Sequence, residues 1–203
     1  MSFRAPRHRQ LSDEELMTAY VQGDEAAFEV LLKRFRQPLF GFLFRYLGRA
    51  DRAEDVFQEV FFEVIRARKR YKPDFKFSAW IFRIARNRAV DRLRRDGFRD
   101  MESLDAGLDP RDENSDSRIN NLAGEGPNPE EAAGGREFTL ALEEIMAGLP
   151  PEQREVFWLK ERSGLSLAEI ADMTGAGQNT VKSRLRYALE KIRDELIERG
   201  FTP

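Results

Sequence analysis

Apolar positions along this chain recur at i, i+3, i+4 and i+7 in its legible stretches, the period of helices with one buried face. Ser12 with Glu15 forms a capping box ahead of LMTAYVQG. Gly23 then closes that helix and Asp24 caps the next, EAAFEVLLKRFRQPL, in which Pro38 is expected to kink or restart the chain. Residues 53–70 give the clearest pattern, with Phe57, Val60, Phe61, Val64 and the stem of Arg68 on one face. At about 100° per residue, Asp55, Glu59, Phe62 and Arg66 share the far side, with Gln58 at its border. After a break at Lys72, Pro73 and Asp74, the stretch FKFSAW leads into a helix that Ser78 can cap and that runs to about Arg95. Arg83, Asn87, Val90 and Arg94 lie on one side of that helix, with Arg86 and Asp91 adjacent.

Residues 165–192 read as a helix-turn-helix. Ser166 and Glu169 make a second capping box, and Gly175 and Gly177 end the first helix. Val181, Leu185, Ala188, Leu189 and Ile192 give the second helix a buried face. Ala171, Gly175 and Val181 have the spacing that lets two helices cross around a tight turn. Asn179, Lys182, Ser183 and Arg186, at i, i+3, i+4 and i+7, form a polar stripe suited to base edges and phosphates. The alternative reading of the same stretch is a structural helical hairpin with a solvated basic face. GAGQNT at 175–180 has neither Walker spacing nor a full dinucleotide fingerprint, and no strand precedes it.

Between these regions, residues 100–135 are poor in large apolar side chains and rich in Gly, Pro, Asp and Asn, so they cannot bury enough to order themselves. The expected organisation is a tail at 1–10, a helical domain at 11–97, a flexible acidic linker at 98–135 and a second helical domain at 136–199. As coil, the thirty-six residues of 100–135 span roughly 30 to 35 Å. The net charge of −2 conceals segment balances of −3 (1–30), +11 (31–99), −8 (100–135) and −2 (136–203). A basic helical block beside an acidic tether points to a nucleic-acid surface.

Composition narrows the chemistry. With no cysteine and a single histidine, His8 in the N-terminal tail, the chain offers no disulfide framework, zinc site, thiol nucleophile or histidine-based triad. No enzyme activity, metal or cofactor is expected. PLFGFLFRYL at 38–47 is broken by Arg45 and too short to span a bilayer, and the basic N-terminus lacks the apolar segment of a secretory signal. A cytoplasmic protein without membrane insertion is expected.

Two features stay open on the residues alone. Phe62, amid carboxylates, is either a lone exposed aromatic or an anchor for a protein partner. Tyr71, Phe75, Phe77, Trp80 and Phe82, interleaved with Lys and Arg, have the composition of a single-strand binder. Trp80 and Ile84, one turn apart, suit a core; Phe75 and Phe77, placed in the loop, suit contact.

AEDVFQEVFFEVIRA (53–67), FSAWIFRIARNRAVDRLRR (77–95), LPPEQREVFWL (149–159) and the helix-turn-helix occur in the order found in sigma-70-type initiation factors of the compact extracytoplasmic-function (ECF) class. The chain resembles that class over nearly all of residues 11–197. The resemblance implies an all-α fold of two small domains, a sigma-2-like helical bundle and a sigma-4-like helix-turn-helix domain, joined by the flexible acidic linker. It implies that Asp55, Gln58, Glu59 and Phe62 bind the clamp helices of the bacterial RNA polymerase core. Phe75, Lys76, Phe77 and Ser78 would then form a pocket for a flipped −10 base, and Asn87 falls at a position that contributes to this reading. Arg83, Arg86, Asp91 and Arg94 share the same DNA surface. Asn179, Thr180, Lys182, Ser183, Arg186 and Tyr187 would read the −35 duplex, with Lys182 standing where Arg is frequent. Promoter DNA and the polymerase core are the implied partners, and the linker would thread the polymerase cleft as a nucleic-acid mimic. An anti-sigma factor is an expectation of the family to which no residue here points. A stand-alone helix-turn-helix regulator would instead bind palindromic duplex without polymerase, and a protein adaptor would show no promoter dependence.

Overall fold

The computed structural model describes residues 8–102, 129–161 and 163–201, with the backbone alone described at 98–102 and 129–136. The chain divides into two compact units, up to Ile119 and from Asn120. All eight α-helices among the described residues follow the 3.6-residue period. In the first unit, α1 (Asp13–Val21), α2 (Glu25–Leu47), α3 (Ala50–Ala67) and α4 (Phe77–Glu102) pack around α2, with a 3₁₀ turn at Arg68–Arg70. Leu16 and Met17 of α1, Leu31, Leu39 and Leu43 of α2, Val56, Val60 and Val64 of α3, and Phe77, Ile81, Ala85 and Ala89 of α4 are fully buried. Phe35 meets Phe77, and Phe42 meets Phe82, edge to face at 5.1 and 5.5 Å between ring centroids.

Pro38 neither kinks nor restarts the chain as expected; it lies within the continuous 23-residue α2. Leu31, Phe35, Leu39, Phe42, Leu43 and Leu47 keep one buried stripe in register on both sides of it. Each such side chain gains about 1.5 to 3 kcal/mol on burial, so together they outweigh the roughly 3 kcal/mol of an interior proline. The capping box at Ser12 forms: the Glu15 N–H donates to Ser12 Oγ, and the Ser12 N–H to the Glu15 carboxylate.

His8, expected in a frayed tail, is only 5% exposed and lies 2.8 Å from the Asp24 carboxylate. Arg34 completes the anchor by donating to the carbonyls of Arg9 and Leu11 and to the Asp13 carboxylate. Composition alone could not reveal these pairings, which span 16 to 25 residues. Residues 1–7 of the expected tail lie outside the described residues.

The expected linker is helical at both flanks. α4 continues to Glu102, and α5 begins at Pro129. Pro129 followed by Glu130 and Glu131 is itself a helix-start signal, a ring-fixed φ with acidic residues at the positive end of the dipole. Residues 103–128 lie outside the described residues.

In the second unit α5 (Pro129–Ala147), α6 (Pro151–Glu161) and α7 (Leu167–Thr174) each pack on α8 (Gln178–Glu198). Ile145, Leu159, Leu165, Ile170, Val181 and Ala188 form its core. Arg154 donates to the carbonyls of Ala147 and Leu149, and Lys191 to that of Gly148, so cations satisfy the carbonyls at the negative end of α5. Both bonds of the Ser166–Glu169 capping box form, and Gly175 takes the left-handed conformation, φ +69°, that turns the chain toward α8. Leu189 departs from the expected buried face at 44% exposure, while Leu185 is half-buried. The packed stripe is centred on Val181, Ala188 and Ile192, and Leu189 sits about 100° around the helix from Ala188. Among the described residues no helix is long and apolar enough to cross a membrane.

The hydrogen bond with His8 holds the Asp24 carboxyl below its ordinary value of 3.8, against an opposing effect of desolvation. A folded-state value below the unfolded one stabilises the fold above the ordinary value, and that contribution is lost as pH falls through the folded one. Urea unfolding from pH 7 to 3 should therefore show a shallower acid loss of stability for Asp24→Asn than for the parent chain.

Candidate nucleic-acid and partner-binding surfaces

The buried stripe of α3 (Ala53, Val56, Val60, Val64) faces α2 and α4, which fixes what the helix shows to solvent. Asp55 and Gln58 are exposed, Phe62 is 67% exposed, and Glu59 is partly covered. The carboxylates are not idle. Glu63 pairs with Arg88 at 2.9 Å, Asp55 with Arg92 at 3.4 Å and Glu59 with Arg95 at 4.0 Å, all across the α3/α4 seam. Deeper in it, Asp96 is 8% exposed and bridges Arg52 at 3.2 Å and Arg92 at 3.4 Å. An open cleft of about 690 Å³ runs along this seam, with Phe62, Glu59 and Arg66 on one wall and Asp91, Arg94 and Arg95 on the other.

In the segment after the 3₁₀ turn, Phe75 is 64% exposed and Lys76 is exposed. Phe77 corrects the expectation of a loop contact: it is the first residue of α4 and 0% exposed, seated against Phe35. Ser78, expected to cap this helix, lies half-buried in its first turn. Instead, the Phe77 N–H donates at 2.9 Å to a Glu14 carboxylate oxygen, 63 residues away on α1. Beyond that turn, Arg83, Asn87, Asp91 and Arg94 are exposed and Arg86 is half-buried. Trp80 and Ile84, expected in the core, are half-buried.

On α8, Asn179, Thr180, Lys182, Ser183, Arg186 and Tyr187 are all exposed. The Arg186 guanidinium lies 4.8 Å from the centre of the Tyr187 ring and 3.7 Å from the Glu190 carboxylate. The helix-turn-helix thus presents an uninterrupted polar strip with one arginine held in place by its neighbours.

Residues 31–99 match the family Sigma-70 region 2, and residues 139–192 match Sigma-70, region 4. The RNA polymerase sigma-H factor of Pseudomonas aeruginosa is 30% identical over 183 residues, covering 90% of this chain and 93% of that protein. The ECF RNA polymerase sigma-E factor of Haemophilus influenzae is 30% identical over 196 residues, with coverage of 92% and 96%. The chain belongs to the ECF class of the sigma-70 family. Its fold is also that of the sigma factor RpoE of Bartonella quintana, solved with the anti-sigma factor NepR, at TM-score 0.60 and 23% identity over 83% of this chain and 96% of that one. CnrH, solved with the cytosolic domain of CnrY, gives TM-score 0.58 and 22% identity over 93% and 99%.

In this sigma factor the region 2 match spans the Phe62 face, the loop and the outward face of α4, and the region 4 match spans the helix-turn-helix. Sequence reasoning passed over Arg88, Arg92 and Arg95, although their i, i+4, i+7 spacing marks one stripe of α4. It also passed over Glu14, for which no local pattern exists. Replacing Asp96 by Ala leaves Arg52 and Arg92 facing each other across a covered seam. With both guanidiniums partly solvated, Asp96→Ala should cost about 1 to 3 kcal/mol in chemical denaturation of the first unit.

Proposed function

We propose that this ECF sigma factor binds the bacterial RNA polymerase core through the outward face of α3, reads the −10 element as single-stranded DNA and reads the −35 element as duplex. Asp55, Gln58, Glu59 and Phe62 dock the polymerase, with Phe62 as the apolar anchor and the carboxylates setting orientation. Phe75, Lys76 and Ser78, with Arg83, Arg86, Asn87, Asp91 and Arg94, contact the opened −10 strand. Extruding a base costs a few kcal/mol of stacking, which a fitted pocket must return. Asn179, Thr180, Lys182, Ser183, Arg186 and Tyr187 enter the −35 major groove, where Lys182 supplies a point charge rather than a bidentate fork.

The observation that carries this reading is a region 2 match over a unit that presents both Phe62 and Asn87 to solvent. A stand-alone regulator has no use for that combination. Partners of the solved neighbours extend the proposal: RpoE is held by NepR and CnrH by the cytosolic domain of CnrY, so an anti-sigma factor is proposed here too. The working compartment is the cytoplasm, where bacterial polymerase acts. The acidic stretch between the units tethers two weak DNA contacts, which bind together once the polymerase holds them at the right separation.

Reconstitution tests the reading. The purified chain added to sigma-free core polymerase with a promoter library should start transcripts at sites sharing one −35/−10 pair; a folded but silent chain would overturn it. Phe62→Ala should weaken core binding by about 1 to 3 kcal/mol with an unchanged melting temperature, measured by titration with labelled core. Ser183→Ala should alter −35 preference in the same promoter library, and Lys182→Ala should weaken −35 use across that library and lower its salt dependence, with core affinity at the parent value for both.

A further inference from the structure

The segment from Lys72 to Lys76 is exposed at every residue, yet its backbone is tied within the loop and at its junction with α4. The Phe75 N–H donates to the Lys72 carbonyl at 3.1 Å, closing a turn. The Tyr71 hydroxyl donates to the Phe75 carbonyl at 2.7 Å. The Phe77 N–H donates to the Glu14 carboxylate at 2.9 Å. Phe75 thus has both backbone polar groups satisfied within the loop while its ring stands 64% exposed at the tip.

Tyr71 divides its work between two places. Its ring is core, 9% exposed as a residue and packed against Phe77 and Trp80 with centroids 5.9 and 5.3 Å away. Its hydroxyl reaches out of that core to the loop. Burial, helped by the nearby charges of Glu14 and Asp13, pushes the phenol's ionisation well above its ordinary value, so the hydroxyl stays a donor. Glu14 sits opposite, in the first turn of α1, and spends a carboxylate oxygen on the first N–H of α4. Neither group faces outward as a DNA contact would; each fixes the backbone that carries one.

We propose that Tyr71 and Glu14 are positioning residues for base selection at the −10 element, holding the Lys72–Lys76 loop in the one shape that presents the Phe75 ring. The proposal rests on the reading of this loop as a −10 contact. A loop ordered before binding loses less conformational freedom when the base arrives, and it holds a single pocket outline, so the benefit falls on discrimination between bases as well as on affinity. The hydroxyl can be removed without disturbing the core, because Tyr71→Phe keeps the packed ring and the carbonyl it releases belongs to Phe75, an exposed residue within reach of water.

The test uses holoenzyme reconstituted from core polymerase and each variant, titrated with fluorescent single-stranded −10 oligonucleotides that carry each of the four bases at the extruded position. Tyr71→Phe should retain core binding and a cooperative melt, lowered by no more than about 8 °C, while its preference for the best base falls about fivefold, the equivalent of one neutral hydrogen bond of about 1 kcal/mol. In a Phe75→Ala background the same change should cost nothing further, because the ring it positions is gone. Glu14→Ala should flatten the preference in the same way, and Glu14→Gln, whose amide oxygen still accepts from Phe77, should restore it. Full discrimination in Tyr71→Phe, an equal loss with and without the Phe75 ring, or a Glu14→Gln variant as poor as Glu14→Ala would each overturn the positioning role. A Phe75→Ala holoenzyme that binds the strand as well as the parent would strike the loop assignment itself, and the positioning role with it.

Discussion

The first unit depends on two helices, α3 and α4, each burying one stripe against α2. Val56, Val60 and Val64 on α3 and Ile81, Ala85 and Ala89 on α4 are the contact residues, and the alanines let the backbones approach closely. With those positions inward, the helical period leaves no choice about Asp55, Gln58 and Phe62, or about Arg83, Asn87 and Arg94. The cross-seam ion pairs do not supply the main stabilisation. Apart from the covered pairs of Asp96, pairs this exposed are worth up to about 1 kcal/mol each, whereas a single buried valine contributes more. Their effect is local: Glu63 is tied to Arg88 and Asp55 to Arg92 across the seam, which orients those side chains.

That seam also shows where part of the charge behind the +11 balance over residues 31–99 lies. Arg52, Arg88, Arg92 and Arg95 are drawn into pairs with α3 carboxylates and Asp96, so part of the basic charge is spent inside the unit. The +11 already subtracts those carboxylates, so the pairing leaves the net balance unchanged and places part of the neutralised charge in the seam. In the proposed function, the −2 balance of the whole chain suits a factor that holds promoter DNA weakly alone and gains its grip when the polymerase supplies proximity.

Legibility in the sequence followed the range of the interactions. The helix-turn-helix was readable because each of its parts is local: a capping box over four residues, a left-handed glycine and a stripe within one helix. The exposed face of α3 was readable for the same reason. Pro38 was misjudged because propensity is local and the stripe that overrides it packs against three other helices. Phe77 was placed in a loop because Lys72, Pro73 and Asp74 break the pattern before it, while the group that starts α4 at Phe77 is a carboxylate 63 residues earlier. His8 shares that cause, as its partner Asp24 is remote and nothing around His8 announces it. The arginine stripe at 88, 92 and 95 carries a local signal in its spacing, but the carboxylates that give it a role stand on another helix.

On α8 the same physics separates two kinds of proposed −35 contact. Arg186 is already stacked on Tyr187 with Glu190 beside it, so it has less rotamer freedom left to lose on entering a groove, and its planar fork can demand a particular base edge. Glu190 exacts a cost in return, because its attraction competes with the DNA and must be given up or shared. Lys182 keeps a flexible four-carbon stem and a compact charge, which can follow a phosphate or a purine acceptor with little preference. Within the proposed function, sequence selectivity at the −35 element therefore rests on Arg186 and the short hydroxyl of Ser183, while Lys182 contributes the salt-dependent part of affinity.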